Sequence, residues 1–287
     1  MGLIDLHVHS SASDGTMTPS EVVAYAAGKG LDAIALTDHD TVSGIREALD
    51  EAERHPLELI PGIEMSCVYD GTEIHILGLY IDWQSSALQD GLAAIRKIRD
   101  DRNMQMLKRF NEDGFAITYE ELTAGVLDTV VTRSHFARVL TEKGYASNRK
   151  QAFERYLQYG GPYCRRKEVT TPERVMGILR EADAFPVIAH PMQYHMGYRQ
   201  IEDMVIRLKG MGLRGLEVYH SSHNPYESGK LKEMAVRLHL LPTGGSDFHG
   251  ANKPDIDIGT GRGGLRLSHL LLNDIKEARN GRIIPND

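Results

Sequence analysis

The sequence predicts an α/β protein, a barrel of strand and helix units interrupted by a small helical domain. Three observations carry that reading. Short apolar runs alternate with helical patterns at both ends of the chain, which argues for β/α units around one sheet. Between about residues 85 and 168 only helical periodicity is present. Histidines and carboxylates recur where predicted strands end, and barrel enzymes build their sites on that face from residues distant in sequence. The expected organisation is a first barrel part at 1–84, a helical insertion at 85–168 and a second barrel part at 169–287. A chain of 287 residues suits one barrel with an insertion.

Residues 3–8 read as the first strand. Residues 18–30 read as a helix: Thr18 caps it, Pro19 suits its first turn, Glu21 completes a capping box, and Gly28 and Gly30 end it. A strand at 32–37, a helix at 42–54 and strands at 57–62 and 73–80 follow. The insertion opens with a helix at 86–111, apolar at Leu88, Leu92 and Ile95. Helical stretches at 119–127, 134–143 and 148–159 come next, and Gly160-Gly161-Pro162 breaks the run. The second barrel part reads as helix 172–181, strand 185–189, helix 201–211, strand 215–219, helix 228–239 and strand 242–246.

Composition narrows the function classes. Hydrophobic residues at 41% and charged residues at 25% are enough for a packed core and argue against global disorder. A net charge of -7 argues against a general nucleic-acid coat but leaves room for a local basic groove. The two cysteines, Cys67 and Cys164, form no Cys-x-x-Cys pair, so neither a disulfide framework nor a thiolate metal site is expected. With no basic-then-apolar leader and no membrane-length run, a soluble cytoplasmic protein is the expectation.

The placement of the 13 histidines carries the chemistry. His7 and His9, two apart on a strand, point the same way and can face one cation. Alone, the pair is equally two polar residues on a strand face. Asp14 alone is a turn aspartate, and Asp38-His39-Asp40 alone is a helix cap. Glu64 ends an apolar strand, where a carboxylate is costly unless it meets a cation. His75 lies inside an apolar strand, the usual place of a satisfied core histidine. His190-Pro191 and Asp247-Phe248-His249 complete the set. Separate explanations would be needed at each of these places, whereas one metal centre accounts for all of them.

With these motifs the sequence resembles the polymerase and histidinol phosphatase (PHP) superfamily. The matching positions are His7-x-His9, Asp38-His39, Glu64, His190-Pro191 and Asp247-x-His249, and the resemblance covers nearly all of the chain outside the insertion. It implies a distorted, TIM-like β/α barrel of seven strands and a site for three metal ions. By the same resemblance, His7, His9, Glu64 and Asp247 hold the first ion. Glu64 bridges to a second ion held by His75 and His190, and Asp14, His39 and His249 hold the third. Some members carry a histidine where Asp14 stands; an aspartate makes that site harder and richer in oxygen. Nitrogen and oxygen donors without thiolate suit Mn²⁺, Fe²⁺ or Zn²⁺, with Mn²⁺ the first choice. Asp38 and Asp5 are candidates for orienting imidazoles from behind, although Asp5 reads equally as a plain strand-end residue.

Clustered divalent ions lower the pKa of a bridging water and neutralise phosphoryl charge, so in-line attack by a metal-bridging hydroxide is expected. His220, His195 and a metal-bound water are candidates to protonate the leaving oxygen. The insertion, with Thr132-Arg133-Ser134-His135 and Tyr163-Cys164-Arg165-Arg166-Lys167, resembles the stand-alone bacterial members. That group includes 3′,5′-nucleoside bisphosphate phosphatases, also described as 5′-end RNA exonucleases. Arg133 and Ser134 open a predicted helix, a natural phosphate holder. Arg165, Arg166 and Lys167 either add to it or form a solvated basic turn, and His135 either lines the pocket or caps the insertion core. The expected substrate is a nucleoside 3′,5′-bisphosphate, with short RNA as an extension and neither a membrane nor a required protein partner. The rival readings are a histidinol-phosphate or other small-molecule phosphomonoesterase, an amidohydrolase-type C–N hydrolase, and a non-catalytic binding module. The C–N hydrolase shares the early His-x-His but usually needs fewer ligands, often with a lysine bridge.

Overall fold

The computed structural model describes residues 2–123, 130–158, 160–164 and 170–281. Arg165, Arg166 and Lys167 lie outside the described residues. The first barrel part comprises β1 (Leu3–Val8), α1 (Pro19–Gly28), β2 (Leu31–Leu36), α2 (Ile45–Ala52), β3 (Glu58–Tyr69) and β4 (Thr72–Leu79). Four helices follow: α3 (Ser86–Glu112), α4 (Tyr119–Thr123), α5 (Arg133–Glu142) and α6 (Arg149–Arg155). The chain then returns through α7 (Pro172–Glu181), β5 (Phe185–Ile188), α8 (Tyr198–Gly210), β6 (Gly215–His220), α9 (Pro225–Arg237) and β7 (Leu241–Gly245). It ends in β8 (Leu267–Ser268) and α10 (His269–Arg279), two elements for which the sequence reading had no counterpart.

The strands form one sheet in the order β7-β6-β5-β4-β3-β2-β1-β8. It curls until its ends meet. The Asp247 N–H donates to His7 O at 2.9 Å, and the His9 N–H donates to Phe248 O at 3.0 Å. Gly245 permits this approach, since a Cβ there would lie 2.2 Å from His7 Cβ. At the other end of β1, the two-residue β8 pairs antiparallel with Leu3 and Ile4. Seven barrel strands are therefore present as expected, with a short eighth beside β1.

One strand runs against the expected direction. β4 is antiparallel to both β3 and β5. The cause is local: Asp70 and Gly71 both take left-handed backbone, φ 47° and 80°, the geometry of a two-residue hairpin turn. β3 consequently extends to Tyr69 instead of stopping at Gly62. The reversal matters for chemistry. His75 lies early in β4, and in a parallel strand that would place it at the wrong end of the barrel. In the hairpin it pairs with Ser66, two residues beyond Glu64, at the rim where the other histidines gather.

α1 is capped as expected, Thr18 and Glu21 exchanging side-chain to backbone hydrogen bonds at 2.8 and 3.2 Å. α2 starts at Ile45, later than residue 42, because Asp40 turns left-handed (φ 51°) and binds Ser66 and Arg99 instead of capping the helix. The first half of α3 packs Leu88, Leu92 and Ile95 into the barrel core. Its second half contributes Met106, Leu107 and Phe110 to a separate core with Phe136, Leu140 and Tyr163. The change of packing partner therefore falls inside α3. The insertion leans on the barrel mouth. Val130 N–H donates to Ala12 O at 3.2 Å, and Thr132 Oγ1 donates to Asp14 at 3.1 Å.

Candidate metal centre

The site is organised around one carboxylate. Glu64 is 1% exposed, and imidazole nitrogens of His7, His9, His39, His75 and His190 all lie within 3.2 Å of its two oxygens. Asp247 adds a second carboxylate, 3.4 Å from His9 Nε2 and 3.8 Å from His7 Nε2. Asp14 supplies a third, 3.1 Å from His249 Nε2 and 3.9 Å from both His39 and His9. Every residue expected as a ligand is thus at one barrel end. His190 (φ 24°) and Asp247 (φ 60°) hold strained backbone there, as side chains at functional sites often do.

The donors fit divalent cations. Buried polar atoms normally find partners, yet His7 Nε2, both ring nitrogens of His9, Asp14 Oδ1, His39 Nδ1, Glu64 Oε2 and His190 Nδ1 form no hydrogen bond of good geometry. Ligand atoms converge in overlapping sets: His9, Asp14, His39 and His249; His7, His9 and Asp247; His7, Glu64 and His190; and His39, Glu64 and His75. Sharing of His7, His9, His39 and Glu64 among sets is what a compact multinuclear centre requires. The charge balance agrees. Burial alone would push Glu64, Asp14 and Asp247 up, but surrounding imidazoles, with Lys253 beside Asp247, outweigh it and hold all three well below the usual carboxylate range. The carboxylates therefore stand ionised, and against burial they hold His7, His9 and His75 above the usual imidazole range, with no thiolate among the donors.

Ligand orientation comes from a residue that the sequence reading missed. Glu217, fully buried in β6, accepts from His7 Nδ1 at 3.0 Å and from the His190 N–H at 2.6 Å. Its bond fixes the His7 tautomer and leaves Nε2 facing the centre. The available signal was an acid inside the short apolar strand Gly-Leu-Glu-Val-Tyr-His. Asp38 and Asp5 do something other than hold imidazoles. Asp38 accepts from Ser10 N–H, Ser10 Oγ and Ser13 Oγ at 2.6–2.8 Å, fixing the loop after β1. Asp5 accepts from backbone N–H groups of His7, Ser246 and Gly259, tying β1 to the chain around β7. Glu217→Gln is expected to weaken metal affinity about 10- to 100-fold. Titrating metal back into chelator-treated enzyme checks this, and an unchanged midpoint would leave Glu217 a packing role only.

Above the centre lies a cleft of about 330 Å³ whose lining includes Glu64, His75 and Asp247 together with Arg99, Arg102, Arg133, Ser134, Phe153, Gln193 and Lys253. Its cations are not equivalent. Arg99 is paired with Asp40. Lys253 lies 2.5 Å from Asp247. Arg133 donates to Glu73 at 2.8 Å and to Leu157 O at 3.2 Å, and Glu73 in turn reaches His75 at 3.3 Å. Arg102 has no carboxylate partner among the described residues: it bonds only the adjacent Asn103, and its shielded Nε has no partner. Burial and the neighbouring Arg99 work against its charge and Glu73 supports it only through space, without an ion pair, so Arg102 keeps the most unused N–H donors for an anion in this cleft. Arg99 and Arg102 escaped the sequence reading because arginines on a long helix look like a solvated face.

The other expected residues are dispersed. His135 accepts from the Thr132 N–H at 3.0 Å, closing the N-terminus of α5, and does not line the cleft. His195 is exposed beyond β5 and does not line it either. His220 is buried with Nε2 3.5 Å from Asp247. Burial pulls it down to about 4, and Ser222 N–H donates to its Nδ1 at 3.0 Å, which keeps the ring proton on Nε2. At neutral pH His220 is therefore an uncharged group beside the ligands rather than a charged acid in waiting.

A barrel with buried histidines and carboxylates converging at its rim, under a wall of arginines, defines a metal-dependent phosphoesterase. The chain belongs to the PHP family: the PHP domain matches residues 5–164. It is 35% identical over 90% of its length to a 3′,5′-nucleoside bisphosphate phosphatase of Chromobacterium violaceum, covering 91% of that protein. It is 34% identical over 85% of its length to a 5′-3′ exoribonuclease of Haemophilus influenzae, covering 89% of it. Among solved structures, a Chromobacterium violaceum protein described as an amidohydrolase with bound sulfate aligns over 99% of this chain and 98% of its own, at 33% identity and a TM-score of 0.85. No described helix is long and apolar enough to cross a membrane.

Proposed function

We propose that the chain removes the 3′-phosphate of nucleoside 3′,5′-bisphosphates to release nucleoside 5′-monophosphates, and that it also trims short RNA bearing a 5′-phosphate. The observation that carries this reading is the pairing of two anion-seeking features in one cleft: the ligand cluster on its floor and, on its wall, Arg102, which has no ion pair among the described residues. A substrate with one phosphate uses only the first; a bisphosphate uses both. Arg133 and Ser134 stand beside Arg102 and complete the grip, and Phe153, also in the lining, offers an apolar surface to the nucleoside. The relatives named for a bisphosphate and for RNA support the same choice.

His7, His9, Glu64 and Asp247 would hold one ion, Glu64 with His75 and His190 a second, and Asp14 with His39 and His249 a third, with Mn²⁺ the preferred metal. When bound, such ions supply a water acidified toward neutral pH and neutralise phosphoryl charge. The chain's own part is positional. The arginine wall fixes one phosphate so that the other lies over the floor, and Glu217 locks His7. Lys253 offers a charged N–H edge beside Asp247, and His220 carries its Nε2 proton toward the same carboxylate. The C–N hydrolase reading loses ground because the residue shared between candidate ligand sets is a carboxylate, Glu64, and Lys253 is the one lysine among the described lining residues. Elemental analysis followed by phosphate release from adenosine 3′,5′-bisphosphate, 5′-phosphorylated dinucleotides, histidinol phosphate and an aryl phosphate tests the proposal. The bisphosphate is expected to lead in kcat/KM by at least about 10-fold, as one charge-assisted contact provides. Equal values for bisphosphate and histidinol phosphate would refute it.

A further inference from the structure

A second cleft, of about 570 Å³, lies between the start of α9 and the segment leading into β8. Its charge is one-sided. Lys232, Arg262 and Arg266 line it and no carboxylate does among the described residues, although the chain as a whole carries a net charge of -7. Arg262 is held by Asp255 at 2.7 Å and by Ser221 O at 2.9 Å. Lys232 and Arg266 are exposed and have neither ion pair nor hydrogen bond among the described residues. The loop that carries the two arginines is open as well: a Cβ at Gly263 or Gly264 would meet nothing within 4 Å, so a ligand can come close to that backbone.

The two clefts share a rim. His220 and Ser221 form the inner end of the second cleft. The next residue, Ser222, accepts from Gln193, a residue of the catalytic cleft, at 3.3 Å. Lys253 of the catalytic cleft lies two residues from Asp255, the partner of Arg262. The clefts also meet the ligand cluster from different ends: Arg133 connects to it through Glu73 and His75, His220 through Asp247.

We propose that this second cleft holds the RNA chain on the 3′ side of the cleaved bond. The inference rests on the RNA-trimming part of the proposed function. With the 5′-phosphate against the arginine wall and the first phosphodiester over the ligand cluster, the rest of the strand has to leave away from the insertion. Water adds to phosphorus, the 3′-oxygen of the first nucleotide departs with a proton, and the phosphate remains on the 5′-oxygen of the shortened RNA. That product stays anionic and extended, and the second cleft lies beside its exit with two unneutralised cations. Backbone phosphates are read here by charge alone, so sequence preference is not expected.

The test compares 5′-phosphorylated dinucleotide and hexanucleotide RNA with adenosine 3′,5′-bisphosphate, using wild type and a Lys232→Ala/Arg266→Ala double variant over a salt series. Wild type should process the hexanucleotide more efficiently than the dinucleotide. The double variant should lose about tenfold in kcat/KM on the hexanucleotide relative to the bisphosphate, and its salt slope should be shallower by about 1.4. A charge-reversed Lys232→Glu/Arg266→Glu enzyme should lose more. A hexanucleotide advantage that is absent in wild type, persists in the double variant, or falls in step with bisphosphate turnover would overturn the inference. Wild type that hydrolyses the bisphosphate but no RNA overturns it while leaving the bisphosphate reading intact; inactivity on both overturns that reading itself.

Discussion

Glu64→Gln is expected to lower turnover by about 10³-fold or more and to strip the enzyme of more than one equivalent of metal. The substitution barely changes size, so its effect isolates charge. Five imidazoles approach this one side chain within 3.2 Å. An amide there puts N–H donors where one carboxylate oxygen stood and removes the charge of a residue shared between neighbouring ligand sets. The side chain is buried and stands ionised because of those imidazoles, so no solvent ion can take its place. Elemental analysis and initial rates measure the two effects, and a thermal melt shows whether the barrel is intact. A folded Glu64→Gln enzyme with full metal and near wild-type rate would remove Glu64 from the centre. His7→Ala with His9→Ala should behave alike, since these rings belong to several of the same sets.

The candidate ligands were legible in the sequence because the motifs that carry them break a local rule. His7-x-His9, Asp38-His39, Glu64, His190-Pro191 and Asp247-x-His249 place polar groups at the ends of apolar strands, where burial is costly without a common cation. The barrel was legible for the opposite reason, through regular alternation of strand and helix patterns. What stayed hidden depends on contacts between distant elements. Glu217 looks like a stray acid until β6 is set beside β1, where it meets His7. The reversal of β4 was encoded in Asp70-Gly71, a two-residue turn signal between strands, but the expectation of parallel β/α units passed over it. β8 gains its identity only by pairing with Leu3 and Ile4, and two residues have no periodicity to detect. The arginines of α3 have ordinary helical spacing; only the packing of α3 across the barrel mouth gives Arg99 a carboxylate partner in Asp40 and leaves Arg102 without one among the described residues.

That asymmetry makes the second large prediction. Arg102→Ala is expected to raise KM for a nucleoside 3′,5′-bisphosphate by about 10- to 100-fold, the effect of losing a charge-assisted hydrogen bond of about 1.5–3 kcal/mol. Turnover of an aryl phosphate, which has no second phosphate, should stay within about threefold. Arg133→Ala should look different. Its guanidinium neutralises Glu73, whose carboxylate burial would otherwise push up and which contacts His75. Deleting it leaves the buried Glu73 leaning on His75, a candidate ligand, as its remaining ion-pair partner among the described residues, so kcat should fall for both substrates as well as KM rising for the bisphosphate. The KM-against-kcat split therefore separates a residue that holds substrate from one that also steadies the centre. If Arg133→Ala gives the selective KM effect and Arg102→Ala gives none, Arg133 leaves Glu73 to bind substrate and the assignment is reversed. The comparison turns on a neutralising partner: an arginine already satisfied by a carboxylate has less to gain from a phosphate than one buried beside another cation.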